Sequence, residues 1–423
     1  MTGEIPQLGE GVLLVDLDAP MPALRETGPF GTLCLVRRAG VPVCVLEVTP
    51  DQAPLSSDEL ARRIRDRLAC AISDHSHVAS RTASSTTASS RTSVVVATRN
   101  RSEELAVCLA SMRAMARSPA RTIVVDNAPS DARTERLVRR LQTEDPTLVY
   151  VMEPMPGLAS AHNAALPHVD TPLVAFTDDD VIVDPLWLER IEEAFASAAD
   201  VACVTGLIFP VELVTREQWW VEAKSGFAKG LTRRIFDMGP NRPRGDPLFP
   251  YAAGTFGSGA NMAFTRAFLA AVDGFDPALG AGSGSLGGDD LATLHEVLAS
   301  GHQLVYEPSA IVFHRHPCDM VDLRRQALGY GAGLTAYLTR VVIERPAVIP
   351  AIARRTMAAG RHAFGRHGAL TGRRPSDYPR ELVIRERLGM LTGPWRYLQA
   401  RRRRRDQPTP SPVARPAVLA ANG

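Results

Sequence analysis

Between residues 93 and 177 the chain repeats one pattern: an unbroken apolar run, then a stretch in which apolar positions recur with a helical period. The runs are SVVVAT at 93–98, TIVVDN at 122–127, LVYVM at 148–152 and LVAFT at 173–177, and the helical stretches between them are 102–115, 131–141 and 159–166. A strand with one wet face alternates apolar and polar residues, whereas a strand covered on both faces does not. The pattern therefore predicts an α/β fold in which a mostly parallel sheet carries helices on both faces. Ligands of such sheets bind at the carboxyl ends of the strands. Those ends carry Thr98, Arg99 and Asn100, then Asp126 and Asn127, then Asp178, Asp179 and Asp180.

Ahead of this repeat, strands are expected at 12–18, 32–38 and 41–48, with a hairpin turn through Arg38, Ala39 and Gly40. Ser57 and Asp58 can cap a helix over 59–72 that places Leu60, Ile64 and Leu68 on one face. Residues 1–75 thus read as a small α/β domain, and the Ser/Thr-rich residues 76–92 as a flexible linker. Downstream, 205–258 reads as a polar or irregular segment containing Trp219, Trp220 and several prolines, and a connection that long tends to be functional. A Gly-rich stretch leads to Asp289 and Asp290, just before a helix at 291–299, and a strand at 304–313 ends in His314, Arg315 and His316. The main domain is expected over 93–320, a helical region over 321–400, and a basic, Pro-rich disordered tail over 401–423 that opens with five arginines.

With 423 residues, 45% hydrophobic and 22% charged, the composition is that of an ordinary globular protein. A net charge of +2 gives no reason to expect a nucleic-acid partner. The six cysteines are far apart and form no C-x-x-C pair, which suits reduced thiols in the cytosol. The N-terminus lacks a basic region before an apolar core, and no window holds eighteen apolar residues in a row, so neither a signal peptide nor a spanning helix is expected. A cytoplasmic protein is predicted. The helices after 320 and the arginines at 401–405 would suit peripheral contact with the inner face of a membrane.

Three carboxylates in sequence repel one another, and a divalent cation relieves that repulsion. A solvated turn is the plainer alternative, with Asp184 and Pro185 capping the next helix. A turn, however, needs one or two such residues and has no use for three at the mouth of an apolar strand.

The order of motifs over about 92–335 resembles the inverting glycosyltransferases of family 2, which have the GT-A fold. Residues 97–101 (ATRNR) look like the family's donor-binding start, Asp126 like its base-binding aspartate, and Gly157, Leu158, Ala159, Ala161, His162 and Asn163 like its G-x-x-x-A-R-N segment. Residues 178–180 match the D-x-D metal motif, and Gly288, Asp289 and Asp290 fall at the acceptor motif G-E-D. His314 is placed like a histidine that completes metal coordination. The resemblance implies a nucleotide-diphosphate sugar donor of UDP or dTDP type, a hydroxyl acceptor and a Mg²⁺ or Mn²⁺ ion held by Asp178, Asp180 and His314. It makes Asp290 the general base and Thr98, Arg99, Asn100, Asp126, Gly157, Asn163, Asp178 and Asp179 donor contacts. Asn261, Asp289 and Trp220 are expected at the acceptor or the sugar.

His162 stands where arginine is common, Asp289 stands for the usual glutamate, and the Q-x-x-R-W signature of processive synthases is missing. Addition of one or a few sugars follows. Each residue also has a structural alternative: Asp126 capping a turn, Asp289 or Asp290 capping a helix, His314 satisfied near a strand end, Trp219 and Trp220 in the core. A nucleotidyltransferase would want a Gly-rich basic loop after the first strand, where this chain reads TRNRSEE. A non-catalytic sugar-nucleotide-binding protein would not need the acids that are intact here.

Overall fold

A computed structural model describes residues 8–72, 90–225, 227–246, 248–352 and 377–405. The first unit is a three-stranded sheet of β1 (Val12–Asp16), β2 (Thr32–Arg38) and β3 (Val41–Val48), with β1 parallel and β3 antiparallel to the central β2. Ala39 and Gly40 adopt φ of 48° and 74°, the left-handed pair that a two-residue hairpin requires. Helix α1 (Ser57–Ile72) buries Leu60 and Ile64 against Cys34, Val36 and Val48. Its cap is Ser56 rather than the expected Ser57: the Ser56 hydroxyl accepts from the Glu59 amide at 3.2 Å.

The second sheet is built from β4 (Thr92–Thr98), β5 (Arg121–Asn127), β6 (Leu148–Glu153), β7 (Leu173–Asp178), β8 (Val181–Val183), β9 (Val201–Pro210), β10 (Arg234–Phe236), β11 (Met262–Thr265) and β12 (Gln303–His314). Its order is β10-β12-β9-β11-β7-β4-β5-β6, with β8 paired to β12. The six long strands run one way, and the short β8, β10 and β11 run against them. Helices α2 (Ser102–Arg113), α3 (Arg133–Gln142), α4 (Leu158–Ala165), α5 (Trp187–Ala196), α6 (Arg216–Ser225), α7 (Arg266–Ala271) and α8 (Asp289–Ala299) cover it. Two large apolar clusters, one on Phe176, Phe264 and Phe275 and the other on Trp187, Ile191 and Val204, show that both faces are buried. The expected α/β architecture with a mostly parallel sheet is what the chain adopts.

Three expectations are corrected. The segment 205–258 opens with regular structure that was not expected, because 201–210 forms the long, fully buried β9 and 216–225 forms α6, while most of its described remainder is irregular as expected. Gly206 and Pro210 interrupt the apolar run in β9 and disguised a central strand. The linker ends sooner than 92, since Thr92 already pairs with Leu173; its residues 76–89 lie outside the described residues. The arginines at 401–405 are helical, and only 406–423 lies outside the described residues.

The N-terminal unit packs Val12, Leu33 and Leu35 against Leu207, Phe209, Ile311 and Phe313 of β9 and β12. Burying each such side chain fully is worth about 1.5–3 kcal/mol. Arg37 adds an ion pair to the buried Asp184 at 2.6 Å, just beyond the turn that carries the three aspartates. At the other end of the chain, α9 (Met320–Glu344) and α10 (Arg380–Arg405) form a tight pair. Gly331, Gly389 and Gly393 lie at the crossing, where any side chain would strike the opposing backbone or Thr335. Pro394 removes the amide that would bond the Met390 carbonyl within α10, and the Thr335 hydroxyl donates to that carbonyl at 2.8 Å instead. Among the described residues no helix is long and apolar enough to cross a membrane, and Cys34, Cys44, Cys108, Cys203 and Cys318 are free.

Candidate active site

Strands β4, β5 and β7 end side by side, so Thr98, Asp126 and Asp178 reach the same edge of the sheet. The chain turns through Asp179 and Asp180 and returns as β8, whose Val181 stands opposite His314 on β12. The Arg315 amide donates to the Asp180 carbonyl at 3.0 Å and fixes this turn. Register alone thus brings His314 to the aspartates. Its Nε2 lies 3.3 Å from Asp180 Oδ1 and 3.9 Å from Asp178 Oδ2, and one ligand atom from each of Asp178, Asp180 and His314 fits within 4.8 Å. Asp180 Oδ1 is buried without a hydrogen bond. Burial, then repulsion from Asp180 and Asp179, holds the Asp178 carboxyl well above its usual range. Burial pushes His314 down, toward the neutral form that binds metals. The donor set, the geometry and the unpartnered Asp180 Oδ1 all fit a divalent cation.

The middle aspartate has a different role from its neighbours. Asp179 is buried, accepts from the Thr98 hydroxyl at 2.7 Å and pairs with Arg101 at 3.2 Å; burial and Asp180 raise its pKa to about 6. Arg101 also reaches Asp180 at 2.9 Å. Thr98 and Asp179, both expected as donor contacts, therefore brace the turn from within.

Asp126 is fully buried; its Oδ2 accepts from the Tyr150 hydroxyl at 3.0 Å and its Oδ1 has no partner. Arg99 is exposed beside it, and Asn100, at φ 58°, caps the loop by accepting from the Ser130 amide at 2.9 Å. Gly157 has φ 138°, which a side chain would strain, and its amide donates to Asn127 at 2.9 Å. Two residues expected as contacts are held by other parts of the chain. The Asn163 amide is occupied by the Phe275 backbone, donating at 2.7 Å and accepting at 2.8 Å. Asn261, 1% exposed, donates to the Leu207 and Ala310 carbonyls and accepts from Trp187, leaving no donor for a sugar. Trp220 packs in a side cluster with Leu323, Leu382 and Tyr378, and Trp219 in the core beneath the N-terminal unit.

Asp289 and Asp290 open α8, after Gly288 in the left-handed conformation. Asp290 accepts from the Gly259 amide at 3.1 Å and the Leu291 amide at 2.8 Å. The next residue, Ala260, gives its carbonyl to Thr177 on β7 at 2.8 Å, so the Asp290 carboxylate and Asp178 are tied to one short stretch of loop. Asp289 is buried, and its Oδ2 lies 3.8 Å from His162 Nδ1 with no hydrogen bond. His162 sits between Phe176 and Phe275, 4.8 Å from each ring centre, where burial lowers its pKa to about 3. A neutral core histidine thus fills the position where arginine is common. A cation reaches the same segment from elsewhere: Arg404 of α10 donates to Ser160 at 2.7 Å and to the Pro156 carbonyl at 3.3 Å.

Residues 93–263 match the family model described as Glycosyl transferase family 2. The chain carries a family 2 glycosyltransferase domain. The GT-A expectation stands with it, as the matched residues contain the acidic turn and most of the sheet. The pre-mycofactocin glycosyltransferase of Mycobacterium tuberculosis is 26% identical over 185 residues, 44% of this chain and 35% of that protein. The chain therefore matches about a third of that relative's length. The mannosyltransferase PcManGT from Pyrobaculum calidifontis, solved with GDP-Man and Mn²⁺, superposes with a TM-score of 0.48 at 20% identity, over 73% of this chain and 88% of that one. Glucosyl-3-phosphoglycerate synthase from Mycobacterium tuberculosis, solved with Mn²⁺, UDP and phosphoglyceric acid, gives 0.40 at 16%, over 60% and 78%.

Several residues around the transferase site had no place in the sequence-based set. His316 lies 3.5 Å from His314, nitrogen to nitrogen, and 3.1 Å from the buried Glu222. His314 and His316 are two residues apart at the end of β12, a visible spacing, but Glu222 belongs to a helix the sequence pattern hid. Arg101 and Tyr150 each hold an aspartate of the site; Arg101 was read only as part of the ATRNR segment, and Tyr150, inside β6, carries no signal of its own.

Proposed function

We propose that the chain is an inverting, metal-dependent glycosyltransferase that moves a sugar from a nucleotide-diphosphate donor to a hydroxyl acceptor. The observation that carries this reading is the meeting of two acidic groups from distant parts of the chain, Asp178 with Asp180 and His314, and Asp290, at one end of the sheet. The donor's base would bind at Asp126, whose free Oδ1 suits the imide N–H shared by uracil and thymine, so a UDP- or dTDP-type donor is favoured. Asp178, Asp180 and His314 would hold Mg²⁺ or Mn²⁺, which offsets the charge developing on the departing diphosphate. Asp290 takes the proton from the acceptor hydroxyl as its oxygen bonds to the anomeric carbon and the bond to the diphosphate breaks. One displacement inverts the anomeric centre. Raised by burial, the Asp290 pKa lies on the side that strengthens a base, while two backbone amides keep the carboxylate oriented. Without the processive signature, one or a few sugars are added.

The test is a panel of nucleotide sugars assayed for transfer and donor hydrolysis with Mn²⁺, Mg²⁺ or a chelator. One donor should turn over only with a divalent ion, and Asp180→Ala should lose the metal-dependent part of nucleotide binding, about ten-fold or more. Equal nucleotide affinity with and without divalent ions, in both proteins, would overturn the assignment.

A further inference from the structure

Helix α10 has two unlike faces. One is buried, with Leu382, Gly389 and Gly393 on α9 and with Tyr397 and Ala400 beside Asp276 and Gly284. The other exposes Ile384, Leu388, Leu391, Trp395 and Leu398, with Leu391 78% and Trp395 62% exposed. These five recur at steps of four and three, so at 100° per residue they form one narrow stripe. Its length, from 384 to 398, is about 21 Å at 1.5 Å per residue. Arg380 continues the stripe at one end, Arg402 and Arg405 at the other, and Arg387 borders it; all four are exposed.

An apolar stripe this long on a surface helix needs an occupant. Charge decides which kind. The helix contains nine arginines and two glutamates, and both glutamates are engaged, Glu381 with Arg324 at 2.9 Å and Glu386 with Lys224. A second copy laid against the stripe would set arginine against arginine. The connecting residues 353–376 carry six arginines and no acid, so they share the same sign. A surface that is apolar within and anionic at its rim complements the helix: side chains of the stripe enter the acyl boundary while arginines bind phosphates above it.

We infer that the outer face of α10 docks the enzyme on an anionic lipid surface. This goes beyond sugar transfer and holds or fails independently of it. Arg404, on the far side of the same helix, reaches the segment around Gly157, so docking would place the catalytic edge close to the lipid.

The test is sedimentation of the full chain with phosphatidylcholine vesicles, with or without phosphatidylglycerol, at low and high salt. Anionic vesicles should bind at least about ten-fold better than neutral ones, and the advantage should shrink once salt shortens the screening length. Leu391→Glu with Trp395→Glu should lower partitioning about ten-fold or more, and Arg402→Gln with Arg405→Gln should remove most of the preference for anionic lipid. These positions are exposed, so unchanged circular dichroism and melting serve as the folding check. Wild-type Trp395 should also report entry by a blue shift that Trp395→Phe removes. Equal binding to both vesicle types, or binding unaltered by the stripe variant, overturns the inference. A dimer in velocity sedimentation that the stripe variant makes monomeric, without vesicle binding, assigns the stripe to a second copy and overturns it too.

Discussion

Two groups of aspartates face the same end of the sheet and are held in opposite ways. Asp178, Asp179 and Asp180 crowd one tight turn and meet charged or ionisable partners, Arg101 and His314. Asp289 and Asp290 meet none at hydrogen-bond range: Asp290 is held by two backbone amides and Asp289 is left beside a neutral histidine. A crowd of carboxylates with one cation among them gains from another cation. A carboxylate fixed by amides in a buried place is instead a proton acceptor of raised affinity. On the proposed reading, equal residue types divide into a cation site and a base because of what surrounds them.

The sharpest way to break this division is to remove the base and leave the charge cluster alone. Asp290→Asn keeps the shape and can keep an acceptor for the Gly259 amide, but cannot take a proton. We expect turnover to fall by about 10²–10⁴-fold with donor affinity unchanged, read by initial rates and nucleotide titration. Turnover at the wild-type level would return Asp290 to the role of a helix-start residue.

A smaller effect is expected behind the cation cluster. If Glu222 accepts the Nε2 proton of His316, then His316 Nδ1 is an acceptor facing His314 Nδ1, and His314 Nε2 keeps its lone pair toward Asp180. Glu222→Gln can donate in place of accepting and so reverses that order. Mn²⁺ affinity should drop about 10–100-fold, measured by calorimetry in the absence of nucleotide. Unchanged affinity would show that His314 is oriented by its strand alone.

The parts of this division legible in the sequence were those written in local pattern. Continuous apolar runs announced the covered strands, and the acids at their ends announced the edge of the sheet where those acids gather. What escaped was set by contacts between distant segments. Nothing near Asn163 or Asn261 reveals that each amide is already bonded to backbone, one to Phe275 and the other between Leu207 and Ala310. Gly206 in β9 looked like a break, yet it is glycine because the Ala310 carbonyl and the Asn261 side chain crowd its α-carbon. The arginines at 401–405 looked like a solvated tail, but a helix delivers Arg404 to Ser160.

The smallest predicted effect tests whether the second group is truly short of positive charge. Burial first, and Asp290 second, lift the Asp289 carboxyl from its usual 3.8 to about 7. Below about pH 4 the folded and unfolded chains both carry its proton, and no penalty arises. Between about 4 and 7 the unfolded chain has lost the proton while the folded one keeps it, so stability falls as pH rises, and above about 7 the penalty is constant. Asp289→Asn removes the ionisable group and offers an N–H to His162. In protein freed of divalent ions, the variant should melt with the wild type at pH 4 and several degrees above it at pH 8, since about 1 kcal/mol moves the midpoint of a domain by roughly 2–8 °C. The rise should appear progressively across the interval between those values. A gain of the same size at pH 4 would place the benefit in packing rather than in charge, and the contrast between the two groups of aspartates would lose its electrostatic basis.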